Sequence, residues 1–199
     1  MNEYWISSTP SNWNNSLNWS TISGGSGGAS VPGVSTSVFF DGSGGGSCLV
    51  DIPVTINNLY ITNDFTSAIT QNYNAVLIAD RISFDGGTFL GDPSAINTSS
   101  LYLGYGILQD ATVYISHDMS CASTHNQWSI LNNSFLIMDG SGQQNLYSEA
   151  GGVIPALKVE KTDSNQVLCY GDSPIIIKDS FLLQDGTFNT NGLDIQVGI

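Results

Sequence analysis

Apolar and polar residues alternate along most of this chain. Val54 and Ile56, Leu59 and Ile61, Leu101 and Leu103, Val113 and Ile115, and Leu157 and Val159 each stand two apart, and Leu193, Ile195 and Val197 repeat the pattern. A period of two sends successive side chains to opposite faces of an extended strand, so each run predicts a strand with one buried face. No window keeps apolar residues at three-four spacing between start and stop signals, and no helix is expected. The runs also resemble one another. "ISFDGGTF" (82–89) and "FLLQDGTF" (181–188) each join an apolar run to an Asp-Gly corner and then Thr-Phe, while "FLIMDGSG" (135–142) shares the first half. Repeated strand-corner units predict an all-β chain, either a β-solenoid of stacked, parallel β-helix-like coils or an antiparallel β-sandwich. The solenoid is preferred. Its coils pair main chain with main chain over inward aliphatic stacks, so it needs little surface charge.

Residues 1–51 differ in composition from the β-repeat region, 52–199. They hold Trp5, Trp13 and Trp19 among asparagines and serines, and Pro10 and the Asn clusters oppose a helix there. An aromatic cluster that plugs one end of the β-structure is expected. Trp5, Trp13, Trp19, Phe39 and Phe40 are the candidate anchor or interface residues. "SGGSGG" (23–28), with Pro32-Gly33 beyond it, and "GSGGGS" from Gly42 lie within a few residues of the strand signals "SVFF" and "CLVDI", which favours loops over inter-domain linkers.

Composition sharpens this picture. Hydrophobic residues make up 41% of the 199, against only 11% charged, about half the usual 25%. The polar surface therefore falls to Asn, Ser, Thr, Gln and Gly, which favour turns and strand edges. Four basic residues stand against 17 acidic ones, a net charge of -13. No basic stripe for phosphates is available, so nucleic acid is excluded as a partner, and attraction to an anionic membrane is disfavoured. No apolar run approaches the roughly 20 residues of a membrane span. "MNEYWISSTPSNW" lacks the basic start and apolar centre of a secretory signal. Cys48, Cys121 and Cys169 lie far apart, and an odd count without a signal predicts reduced thiols.

Candidate chemistry is sparse. His117, Cys121 and His125 are four apart, beside Asp118, but that spacing converges on a metal only in a helix, and a polar loop is the better reading. Asp85, Asp110, Asp139 and Asp185 are the acids a glycosidase pair would draw on. Three of them precede glycine, where corner geometry alone asks for Asp. The Gly-Ser loops lack the lysine and hydroxyl of a phosphate cradle, and Asp41 lacks the alternating acids of a calcium loop. No catalytic residue, metal or cofactor is expected. Tyr102, Tyr105, Tyr114 and Trp128 are candidate glycan contacts, with core filling or an oligomer contact as the alternative.

One resemblance bears on function. Tyr4-Trp5, Trp13, "NWS" (18–20), "SGGSGGASVP" (23–32), "VFFDG" (38–42) and "CLVD" (48–51), in this order, resemble a group of bacteriophage virion-associated structural or fibre proteins. "DGTFNTNGLDIQV" (185–197) is similar to that group's β-repeats, and Ser37 departs from it where an acidic residue is usual. The resemblance implies a non-enzymatic virion component, assembled in the host cytoplasm and carried on the particle exterior as a capsid decoration or short head fibre. Its partners would be the major capsid protein or other virion proteins. A homo-oligomer is expected, a trimer above all, because fibre-like β-proteins bury edges and flat faces against symmetric copies. The alternatives are a tail-fibre module that recognises host surface glycans and a fragment of a polysaccharide depolymerase.

Overall fold

The computed structural model describes residues 1–92, 94–122, 134–149, 152–161 and 165–198. The chain winds into a β-solenoid of about seven turns. Its path is set by pairs of consecutive outward residues. In Val54–Ile61 the buried positions are Val54, Ile56, Leu59 and Ile61, so Asn57 and Asn58 both point out and the strand turns a corner there. Leu77–Phe84 turns at Asp80-Arg81 and Ile96–Leu103 at Ser99-Ser100. Each of these strands thus covers two faces. In the next coil the halves part into Thr112–Ile115 and Met119–Cys121, which both pair with Ile96–Leu103. A third face carries Cys48–Val50, Ala68–Gln71, Thr88–Leu90 and Ile107–Gln109, and later Val153–Ile154, Ile175–Ile177 and Ile195–Val197.

Pairing is parallel from coil to coil, which overturns the sandwich alternative. Among the described residues the one antiparallel pair is Tyr4-Trp5 with Trp19-Ser20. Register stacks like on like. One inward column runs Val54, Leu77, Ile96, Val113, Leu136, Leu157 and Phe181, so a coil takes roughly twenty residues. A second runs Val38, Leu59, Ile82, Leu101, Met119, Leu146 and Cys169. The columns meet in one apolar core. Several polar groups inside it are partnered by main chain. Lys161, 1% exposed, donates from Nζ to the carbonyls of Gly140 and of Gly142 (2.7 Å) and to Gln144 Oε1 (2.8 Å). Gln144 in turn donates to the carbonyls of Ile115 and His117.

The first coil is closed by aromatic rings. Trp19 meets Trp5 and Trp13 edge-on at centroid separations of 5.1 and 4.7 Å, and Trp5 stacks on Phe40 at 5.7 Å. Trp5 donates its indole N–H to Gly46 O and Trp19 to Trp13 O, both at 2.8 Å. The plug expected at one end is therefore present, but the anchor role is not available to most of its members. Trp5, Trp13, Trp19 and Phe40 are 0–1% exposed, and a ring with no surface cannot grip a partner. Of the five candidates only Phe39 faces outward. The glycine loops pack against this plug. Gly46 N donates to Ser7 O, and a Cβ on Gly46 would sit 2.2 Å from Thr9 O. The sheet also crosses the compositional step at residue 51, because Ser37–Phe40 pairs with Asn58–Ile61 and Cys48–Val50 with Ile69–Gln71.

Truncating Trp19 to Ala removes three ring contacts, with Trp5, Trp13 and Phe40, and an indole hydrogen bond, and should cost about 3–5 kcal/mol in denaturant unfolding. The Trp13 indole N–H has no hydrogen-bond partner. Trp13→Phe should therefore destabilise less than Trp5→Phe or Trp19→Phe, each of which abandons a buried carbonyl acceptor.

Candidate ligand-binding face

On the second face the outward positions between inward pairs form a column of their own. Register places Tyr4, Phe39, Tyr60, Ser83, Tyr102, Ser120, Tyr147 and Tyr170 on consecutive rungs. Parallel strands lie about 4.8 Å apart, which is close to the separation at which aromatic rings stack. The rings do stack. Tyr4–Phe39 and Phe39–Tyr60 have centroids 5.0 and 4.9 Å apart with planes within 20°, and Tyr147–Tyr170 are 5.3 Å apart at 19°. Ser83 and Ser120 interrupt the ladder on either side of Tyr102.

At the Ser120 interruption lies a cleft of about 170 Å³ lined by Arg81, Ser100, Leu101, Tyr102, Asp118, Met119, Ser120 and Tyr147. Asp118 is held in place, since its Oδ1 accepts from both the backbone N–H (2.8 Å) and the side-chain amide (3.1 Å) of Asn145. Arg81 is exposed and forms no ion pair among the described residues. Burial, and then the negative charges of Asp85 and Glu149, push the Tyr102 hydroxyl up, so it stays protonated. Burial likewise lifts Asp85, against the pull of the Ser83 hydroxyl and the Arg81 charge.

The other candidates scatter. Tyr114 points out from the first face and lines a wider cleft of about 350 Å³ with Ile78, Asp80, Asn97, Ser99, Ser116 and Asp139. Tyr105 stands at the corner after Leu103 and is 47% exposed. Trp128 and His125 lie outside the described residues. His117 is on the surface beside the Ser116 hydroxyl, whereas Cys121 points into the core with its thiol 3.4 Å from Val153 O, so the two do not converge. Among the described residues no three of His, Cys, Asp and Glu assemble as a metal site. Three of the four acids sit on different corners. Asp85 follows the second face, Asp110 the third and Asp139 the first. Asp139 and Asp185 share an edge, with Glu160 on the rung between them. Glu160 is already bound to Lys158 (2.7 Å) and Gln184 (2.9 Å). In the wider cleft Asp80 and Asp139 lie three rungs apart, about 14 Å, beyond the roughly 6.5–9.5 Å of an inverting glycosidase pair.

Sequence reasoning singled out Tyr102 but missed Tyr60, Tyr147, Tyr170, Ser83, Ser120 and Arg81. A signal existed: Leu59-Tyr60-Ile61, Leu101-Tyr102-Leu103 and Leu146-Tyr147-Ser148 each set a tyrosine between two inward positions, and Tyr170 follows the inward Cys169. Comparison with protein-family models, curated proteins and solved structures finds no match.

Two measurements follow from these environments. Cys48, Cys121 and Cys169 are reduced and buried. Burial, and for Cys48 also the Asp51 charge, raises the Cys48 thiol well above its usual range, and burial pushes Cys169 up to about 12. A thiol reagent at pH 8 should find no reactive cysteine in the native chain and all three after unfolding in guanidinium. Asp139 is lifted by burial and by Glu160, against its own backbone N–H and Lys161. Its folded-state pKa lies above the unfolded value, so the native state takes up the proton first and stability rises as pH falls through that folded pKa. Asp139→Asn should raise Tm at pH 7 by about one degree, the scale left after solvent screening. It should also reduce the gain in Tm on acidification.

Proposed function

We propose that this chain is a non-enzymatic structural component of a bacteriophage particle, carried on the exterior as a capsid decoration or short head fibre. The observation that carries the reading is the closed interior of the solenoid. Most described positions of its columns are aliphatic or aromatic, and most of the polar side chains named among them hold main chain, while the buried Glu3 beneath Val38 accepts from the Ser30 hydroxyl at 2.6 Å. Thr98 donates to Ser100 O (3.0 Å), Gln71 to Ala75 O (2.6 Å) and Ser148 to Pro174 O (3.0 Å), as Lys161 and Gln144 do to their carbonyls. Such a molecule supplies stiffness and reach. About seven turns at the parallel-strand spacing make a rod roughly 34 Å long. The N-terminal motif supports the phage assignment, and the fold is compatible with fibre-like proteins.

A homo-oligomer, with a trimer first, belongs to this reading. The last described coil leaves Leu183, Ile195 and Val197 38–45% exposed, although they continue inward columns. The major capsid protein or another virion protein is the proposed attachment partner, and the virion the proposed location.

Antibodies raised against the recombinant chain should label the heads of intact particles of the encoding phage in electron micrographs. Label confined to the tail tip would favour the glycan-recognising alternative, and absence of label would remove the virion assignment. Sedimentation equilibrium should report three chains per particle. Incubation with host capsular polysaccharide should release no new reducing ends.

A further inference from the structure

The interrupted tyrosine ladder is the feature that a purely structural role leaves unused. Neighbouring rungs carry rings that stack at about 5 Å. At Ser120 one ring is missing, and the tyrosines on either side of it stand two rungs apart, about 9.6 Å. That gap accepts one flat ring in contact with both neighbours. Tyr147 already stacks on Tyr170 through one face, so its other face is the one turned toward the gap.

We propose that the Ser120 slot binds the terminal or branch sugar of a glycan, a single neutral hexose ring held between Tyr102 and Tyr147. Four properties of the slot select this occupant. Its volume of about 170 Å³ is below the roughly 300 Å³ at which common small-molecule pockets begin, which suits one ring. A hexose presents C–H groups on its two faces and hydroxyls around its rim, matching two aromatic walls joined by a polar floor. That floor offers the Ser120 and Ser100 hydroxyls, the Arg81 guanidinium as a donor, and the Asp118 carboxylate, fixed by Asn145, as an acceptor. A protein aromatic side chain would fill the same gap but leave those rim groups without partners, at the cost of their desolvation. The net charge of -13 disfavours uronic and sialic acids.

Geometry also sets how the glycan approaches. The ladder rings lie across the solenoid axis, so a sandwiched sugar lies across it too, and the remainder of its chain leaves outward into solvent. A polysaccharide running along the rod is not accommodated. Ser83 has the same one-rung spacing between Tyr60 and Tyr102, but its hydroxyl already donates to Asp85 at 3.2 Å. The Ser120 slot is therefore the assigned one. This inference does not depend on the virion assignment, since labelling of particles and binding of a sugar succeed or fail separately.

The test is saturation-transfer NMR on the full chain, with the methyl glycosides of glucose, galactose and mannose, methyl glucuronide, and N-acetyltyrosine amide as probes. At least one neutral hexoside should bind, with millimolar affinity, and outcompete the glucuronide and the tyrosine amide. Tyr102→Ala should weaken binding by about three- to tenfold, the scale of one lost stacking wall. Ser120→Tyr should abolish binding by completing the ladder, with Tm unchanged or raised because the new ring is outward and stacked. Absence of binding by all three hexosides, binding that survives Ser120→Tyr, or preference for the tyrosine amide would each overturn the proposal, the last in favour of a protein partner.

Discussion

Main-chain pairing between successive coils is the interaction on which everything else in this molecule rests. Each coil donates and accepts along its length with the coil before and the coil after, and the register fixes which side chains lie over which. Val54 over Leu77 over Ile96 is an aliphatic column because the ladder makes it one. The same register carries the outward rings of Tyr4, Phe39 and Tyr60 to stacking distance. A chain held in this way has little need of ion pairs. Lys158–Glu160 is the one recorded among the described residues, in keeping with the low charged fraction.

A ladder solves its own middle and leaves its ends to be managed, since an end coil offers unpaired main chain and uncovered apolar side chains. At the first coil the solution is aromatic. Trp19-Ser20 folds back antiparallel along Tyr4-Trp5, and three indoles with Phe40 fill the space beneath. Glycine lets the loop at 42–47 settle on this plug, where a side chain at Gly46 would collide with Thr9. At corners within the stack, long polar side chains take over. Lys161 and Gln144 reach into the interior and gather carbonyls that a turn cannot pair.

Strand positions and buried faces were largely legible in the sequence, because a period of two survives in every coil. The three-sided winding was less so. Asn57-Asn58 looks like the end of one strand, whereas the strand continues around a corner and resumes with opposite parity. Alternation cannot separate solenoid from sandwich, since both bury every second residue; repetition and low charge made the difference. The tryptophans were expected as an anchor because aromatic rings near a terminus suggest contact, yet each bulky ring is what a coil end must bury. Tyr114 and Tyr105 were grouped with Tyr102 by residue type alone. Only register separates them, and coils of unequal length hide register from the sequence.

The functional account follows from the same ladder, with a rod whose interior holds backbone together and whose outer face carries a ring-sized interruption. Its central claim is therefore parallel stacking in the stated register. Thr55, Tyr114 and Lys158 share one outward column, Tyr114 three rungs and Lys158 five rungs from Thr55. Spin labels on cysteines placed at these positions, with the buried native thiols left unlabelled, give the distances directly. Parallel stacking in this register requires backbone separations of about 14 Å from 55 to 114 and about 24 Å from 55 to 158, in proportion to rung number. Separations that do not grow with rung number would contradict it.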